Sequence, residues 1–499
     1  MNDAHSTQRE RVIPKWVGIK ASIASGELGI PNSKPLSIND ATIHAIQAEK
    51  LEFMETKSPV AALSLLESAI ILDDRNLAED ISRQVKEFGM SDKPILELVD
   101  NILHSPPDLS TISSEDIQIA GLKKHLIQHP RNALAWIDIA RLYATKGQRE
   151  KARRAAIIAI ELAPIDRYVV RSAVRYLIHL HDFEKAFDYI RKSNKLIKDP
   201  WLKATEINVA LIAEKRIPAF KGYIPKVLSD SDYYHLSELH ETEGLLELNA
   251  GNTRKAKKKF KTAWVLPSNN VITHGEWVLR NKLQSMKETT NLDWNKSTEA
   301  LTWIQYIQMD FQSASIAAEI WAKEEPYSAS PFILGVSIAC AANLPHEGVK
   351  IAEKGLIAND DDVILHNNLC YALLRAGEIE KAELEIQKIE HVIRLRQPED
   401  QYLFCLATKG LLDYKKGNIA SGRAAYIAVI DAARKKKELD VLAKASLNMA
   451  LAELEASRTP PMHYIESAIA VSENSNMPDI RAIRNLVMDK IKNLDKSNK

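Results

Sequence analysis

The chain of 499 residues carries 67 Lys and Arg against 66 Asp and Glu, so its formal net charge is +1 at pH 7. This balance argues against a protein that coats nucleic acid over its whole surface. Cys340, Cys370 and Cys405 are far apart in apolar helical segments, which indicates reduced core thiols rather than disulfides or a zinc site. The N-terminus lacks an apolar signal core and no apolar run could span a bilayer, so we expect a cytoplasmic protein.

The first 132 residues are the least regular part of the chain. Residues 1–38 show no sustained helical period, and we predict an extended, partly disordered segment there. Ile13, Trp16 and Ile19 lie close together within it, and an exposed tail seldom needs three such side chains. They either fold back onto the first helices or dock into a partner. The apolar pattern of residues 39–132 predicts helix pairs of irregular spacing, which are interrupted by a loop rich in turn-forming residues.

The segment from Ala133 to Asp166 is the most regular one. Two apolar stripes at helical period flank a turn at Gly147, with large residues such as Trp136 in the first stripe and Ala152 and Ala156 in the second. This order predicts two helices that approach each other closely at the small residues. Comparable turns recur, several of them 34 residues apart, at His181, Gly251, Met309, Asn343, Gly377 and Gly417.

This pattern resembles the tetratricopeptide repeat (TPR), in which helix–turn–helix units of about 34 residues stack on one another. The resemblance implies an all-α fold, namely an α–α superhelical solenoid with degenerate N-terminal repeats and a C-terminal capping helix. After residues 39–132, we predict a first array of repeats, an irregular bend, a second array, and a terminal helix pair with its capping helix and polar tail. These segments are 133–268, 269–296, 297–437 and 438–499.

No catalytic, cofactor-binding or metal-binding signature is found in the sequence. Phosphate-binding glycine loops, zinc-binding His pairs and nucleophile elbows are all missing, and we expect neither an enzyme nor a cofactor. The basic runs Arg254 to Lys261 and Arg434 to Lys437 are interpreted as solvated helix faces. Nucleic acid is therefore not expected as a partner, although phosphate contacts would begin at these runs.

The resemblance to TPRs implies that the first helices line a concave groove that binds a partner protein. Arg171, Arg175 and His179 form one stripe at helical spacing, and such donors suit a carboxylate or an extended peptide backbone. A second stripe with the same spacing consists of Asn367, Tyr371 and Arg375. The full set of groove candidates is Arg141, Arg171, Arg175, His179, Asn208, Trp303, Tyr306, Asn367, Tyr371 and Arg375. Each could equally be a solvated residue or one that packs between repeats.

The sequence therefore favours a non-enzymatic intracellular adaptor or scaffold that binds a partner protein or peptide in its groove. The alternative is a peptide-responsive regulator that acts on a nucleic-acid-binding or enzymatic partner. A third hypothesis, an enzyme hidden in the irregular N-terminal third, requires a pocket with a perturbed acid or histidine, and no residue pattern indicates one.

Overall fold

A computed structural model describes the chain over nine ranges. They are residues 50–71, 75–89, 93–104, 114–217, 230–283, 292–396, 402–457, 459–473 and 475–497. Ile13, Trp16 and Ile19 lie outside the described residues. The chain forms two compact units, one ending at Tyr176 and the other beginning at Leu177.

The described residues form helices and no strand. The first unit contains α1 (Pro59–Ile71), α2 (Arg75–Glu87), α3 (Lys93–His104), α4 (Ser114–Gln128), α5 (Ala133–Thr145) and α6 (Arg149–Leu162), and the boundary between the units falls within α7 (Arg167–His179). The second unit continues with α8 (Phe183–Leu196), α9 (Pro200–Ile212), α10 (Asp230–Asn249), α11 (Thr253–Ala263), α12 (Asn269–Asn281), a 3₁₀ turn (Trp294–Lys296), α13 (Thr298–Ile307) and α14 (Phe311–Glu324). It ends with α15 (Ser330–Ala341), α16 (Pro345–Leu356), α17 (Val363–Ala376), α18 (Ile379–Arg396), α19 (Tyr402–Lys415), α20 (Ile419–Lys436), α21 (Leu439–Ala456), α22 (Met462–Ser472) and α23 (Pro478–Ser497).

The repeated turns share one backbone conformation. All seven turn residues predicted from the sequence have a positive φ, from 58° at His181 and Asn343 to 86° at Gly377. The residue after each donates its N–H to the carbonyl five residues earlier, for example Glu378 to Leu373 at 2.9 Å. This left-handed cap satisfies carbonyls that the helix end leaves without partners. Glycine takes this conformation without strain, whereas Met309 takes it at a cost of about 1–2 kcal/mol.

The helices on either side of these turns pack in antiparallel pairs. Within the second unit, α10 packs on α11, α15 on α16, α17 on α18 and α19 on α20, and successive first helices α15, α17 and α19 also contact one another. The alanine that follows each good turn by five residues is fully buried, as at Ala152, Ala256 and Ala382. The predicted all-α array of TPR-like helix pairs is confirmed by this pairing.

The last helix is the predicted cap. Helix α23 packs on α21 and α22, and its Ile480, Ile483 and Val487 are buried in one apolar cluster with residues such as Leu447 and Ile465. It also reaches α15, which lies more than a hundred residues earlier in the chain. The cap therefore does more than cover the last pair, because it connects that pair to an earlier repeat.

We predict that two glycines of α16 respond differently to alanine. A Cβ at Gly355 would lie 2.6 Å from Cγ of the Phe332 ring, whereas at Gly348 the nearest atoms are 3.4 Å away. Gly355→Ala should lower the free energy of unfolding by about 1–3 kcal/mol through overpacking. Gly348→Ala should be neutral or stabilise by up to about 1 kcal/mol through helix propensity.

Urea denaturation followed by circular dichroism measures both effects. The two variants share a helix and a chemical change, so a global effect of the substitution would appear in both. Equal stability of the two would contradict the close approach of α15 and α16 at Gly355.

Candidate functional site

A cavity of about 230 Å³ lies among the first helices near the end of the chain. Its walls come from α15, α17, α19, α21 and α20, and α23 contributes Asp479 and Ile483. Most of the lining is apolar, from residues such as Val336, Val363 and Val429. The cavity is thus a largely apolar chamber built by several repeats and closed on one side by the cap.

A polar network runs along one part of this chamber. The Tyr371 hydroxyl donates to Asn448 Oδ1 at 3.0 Å and accepts from Arg375 Nη1 at 3.1 Å. Arg375 Nη2 reaches Asn343 Oδ1 at 3.4 Å, and Asn448 Nδ2 donates to the Lys444 carbonyl at 2.9 Å. Burial raises the pKa of Tyr371, so this phenol stays neutral and keeps its donor proton at pH 7.

An ion pair forms another part of the wall. Lys444 Nζ lies 2.7 Å from Asp479 Oδ2, and the Asp479 side chain is only 14% exposed. Burial acts to raise the pKa of the Asp479 carboxyl, but the Lys444 ammonium, together with hydrogen bonds from the Ile480 backbone and the Tyr306 side chain, outweighs it and the net shift is downward. The two charges therefore neutralise each other at the chamber.

Asn367 carries an unsatisfied polar atom in the lining. It is 8% exposed, and its Oδ1 has no hydrogen-bond partner among the described residues. Asp479 Oδ1 also has none, although the other oxygen of that carboxylate pairs with Lys444. A buried amide oxygen without a donor costs about 1–3 kcal/mol. Asn367 is therefore a neutral side chain in the chamber whose hydrogen bonding a ligand would complete.

The chamber is not suited to thiol chemistry. Cys340 and Cys405 both line it, and burial raises their pKa values to about 11 and about 12. The thiolate is the reactive form of cysteine, so both side chains behave as small apolar groups at neutral pH. All three cysteines are free thiols in the structure.

No protein-family model and no curated protein matches the chain. Among solved structures it is similar to yeast Tom70, with a TM-score of 0.30 and 12% identity over 91% of this chain and 93% of that one. It is also similar to the APC/C hetero-tetramer Cut9–Hcn1, with a TM-score of 0.31 and 14% identity over 93% of this chain and 98% of that one. A third similar structure is a monomeric mutant of IFIT1 with Gppp-AAAA, with a TM-score of 0.31 and 13% identity over 94% of this chain and 99% of that one. These TM-scores are too low for the three proteins to inform the function of this chain.

The second predicted stripe lies at the chamber. Asn367 and Tyr371 line it, and Arg375 binds the Tyr371 hydroxyl, so these three belong to one site. Tyr306 of α13 is buried, and its pKa is raised well above the usual value first by burial and then by the charge of Asp479. Trp303 is half-buried, with the Arg280 guanidinium 4.1 Å from its ring centroid.

The first predicted stripe is largely buried. Arg171 and Arg175 lie on α7 and are each 5% exposed, and Arg141 on α5 is half-buried. His179 packs edge-on against Tyr327 with ring centroids 5.4 Å apart. Asn208 is buried and donates to Thr242 Oγ1 at 3.2 Å.

Three buried histidines of the second unit pair with carboxylates, and one of these pairs joins His366 Nδ1 to Glu385. His274 Nδ1 lies 2.9 Å from Glu241 Oε1, and His240 Nδ1 lies 2.9 Å from Glu243 Oε2. Burial raises the pKa of Glu241, and His274 offsets this only in part.

The described ranges hold no group of three or more His, Cys, Asp or Glu that could bind a metal. In the same residues, no helix is long and apolar enough to cross a membrane.

Sequence reasoning did not identify Lys444, Asn448 or Asp479. Lys444 and Asn448 are four residues apart and so share one face of α21, but the sequence pattern indicates only that this helix belongs to a terminal pair. Asp479 reaches the chamber because α23 lies against α15 and α21. No spacing in the sequence indicates that contact.

We predict that Lys444→Met destabilises the protein in a pH-dependent way. Without the ammonium the buried Asp479 carboxylate loses its partner, which should cost on the order of 1–3 kcal/mol at pH 7. The lowered pKa means that Asp479 stabilises the wild type above its unfolded pKa, near about pH 4, and that this contribution is lost as pH falls. The difference between variant and wild type should therefore shrink at and below about pH 4.

Urea denaturation at neutral and acidic pH tests this prediction. Lys415→Met serves as the control, because the Lys415–Glu455 pair is more exposed on the carboxylate side and should contribute less than about 1 kcal/mol. If Lys444→Met lowers the free energy of unfolding equally at neutral and acidic pH, Lys444 acts only through its packing.

Proposed function

We propose that the chain is a non-enzymatic intracellular adaptor or scaffold that binds a partner protein through the chamber among its first helices. The observation that carries the proposal is a largely apolar chamber in which the Asn367 amide oxygen lacks a hydrogen-bond donor. Helix-repeat arrays present such sites on surfaces built jointly by several repeats.

The size of the chamber favours one apolar side chain as its occupant. Pockets for drug-sized small molecules usually measure about 300–1,000 Å³, and this one is about 230 Å³. A single Leu, Ile, Met or Phe side chain from a partner fits that volume better than an extended cofactor. Anchoring through one buried apolar residue is a common way for a short segment to bind a protein surface.

The polar groups favour a neutral peptide segment over a charged terminus. Lys444 is already paired with Asp479, and the Tyr371 hydroxyl already donates to Asn448 and accepts from Arg375. A carboxylate would have to compete with Asp479 for its cation. A backbone N–H, in contrast, would supply the donor that Asn367 Oδ1 lacks. We therefore propose a partner segment with an apolar anchor and a backbone hydrogen bond to Asn367.

A phage-displayed peptide library panned on the full chain tests this function. We expect the enriched peptides to share an aliphatic or aromatic residue at one position. Ala407→Phe, which fills the chamber from its wall, should weaken their binding at least about 10-fold because the anchor loses its space. Asn367→Leu should weaken it about 5- to 30-fold through the lost hydrogen bond.

Ala428→Phe is the matched control, since Ala428 is exposed on α20 and outside the chamber. Thermal melts of all variants separate loss of binding from loss of fold. Peptides that bind Ala407→Phe as tightly as the wild type would contradict the proposed site, as would enrichment of peptides that depend on a free C-terminal carboxylate.

A further inference from the structure

Helix α11 carries the largest cluster of like charges in the chain. Six cations fall within the eight residues from Arg254 to Lys261, with no acid among them, although the whole chain has a net charge of only +1. The buried stripe of α11 is Ala256, Phe260 and Ala263, which faces α10. The cations therefore occupy the remaining faces of the helix, and packing of the core does not require them.

These charges work against the helix that bears them. Arg254 with Lys258, and Lys257 with Lys261, are like charges four residues apart, which destabilise a helix. Arg254 and Lys255 also lie in the first turn, where the helix dipole favours anions, and that turn has no acid. Local helix stability therefore does not account for this charge pattern.

The fold gives partners to two of these six cations, Lys257 and Lys259. Lys259 pairs with Glu243 at 2.8 Å. Arg254, Lys255, Lys258 and Lys261 are exposed, and the described residues offer their side chains no ion pair or hydrogen bond. These four cations, which we call the α11 stripe, extend over about 10 Å of helix. They present a short, concentrated positive surface.

The chemistry next to the α11 stripe favours a lipid surface over nucleic acid. Val265 and Leu266 follow the helix directly and are 53% and 45% exposed. The neighbouring aromatic residues are not available for stacking on bases, since Phe260 is buried and Trp264 stacks on it with centroids 5.7 Å apart. Three of the four cations are Lys, a point charge, rather than Arg, which forms bidentate contacts to phosphate or carboxylate.

We propose that the α11 stripe, together with Val265 and Leu266, docks the protein on a membrane surface rich in anionic phospholipid. The lysines approach the headgroups, and the two aliphatic side chains enter the interface beside them. This surface is separate from the chamber and does not depend on the function proposed for it. The association is peripheral and sensitive to salt, because exposed charges supply most of the attraction.

Flotation of the full chain with vesicles tests the proposal. We expect binding to phosphatidylcholine vesicles that contain roughly 30 mol % phosphatidylserine, and none to phosphatidylcholine alone. Lys255→Glu with Lys258→Glu should lower the partition coefficient at least about 10-fold, since each lysine near the surface contributes to binding. Val265→Ser with Leu266→Ser should lower it several-fold while leaving the salt dependence intact.

Lys350→Glu with Lys354→Glu is the control of equal charge change, because both lysines are exposed on α16. Circular dichroism checks that every variant is folded. Equal binding by the α11 variant and the control would overturn the proposal, as would absence of vesicle binding at low salt. Binding of a short mixed-sequence RNA that is lost in the α11 variant, without vesicle binding, would assign the stripe to nucleic acid instead.

Discussion

The close approach of a small residue to an aromatic ring sets the spacing of the helix pairs. Gly244 faces Phe260, Gly355 faces Phe332 and Gly422 faces Tyr414, and a Cβ at any of these glycines would lie within 2.9 Å of its ring. Glycine therefore allows two helices to approach closely while a large ring fills the space beside them. Since each repeat is positioned by the one before it, these local contacts place the later helices as well.

The repeat fold could be read from the sequence because its determinants are local. The turn and the buried alanine five residues later recur together, so Gly147 with Ala152 and Gly377 with Ala382 reveal the period directly. His181, Met309 and Asn343 show that the turn conformation is kept even without glycine. In these units the left-handed cap is imposed by the packing of both helices, which outweighs the intrinsic preference of the turn residue.

The candidate site could be read only in part. Helical register placed Asn367, Tyr371 and Arg375 on one face, and the structure brings them to one site. The same reasoning placed Arg171 and Arg175 on a stripe but could not show that they are nearly buried. Register gives the direction of a side chain within its own repeat. The burial of that side chain depends on what packs against the repeat. Asp479 in turn reaches the chamber through a contact between helices that are far apart in sequence.

Helix α23 links the stability of the C-terminal repeats to the chamber. Its Ile480 and Val487 close the terminal core, while Asp479 and Ile483 form part of the chamber wall. Any loosening of the cap therefore opens the chamber and exposes the core at the same time. The proposed partner of the chamber would therefore stabilise the cap by mass action, in proportion to the logarithm of its concentration over its Kd. Under that proposal, binding at the chamber and order at the C-terminus are thermodynamically coupled, with α23 as the shared element.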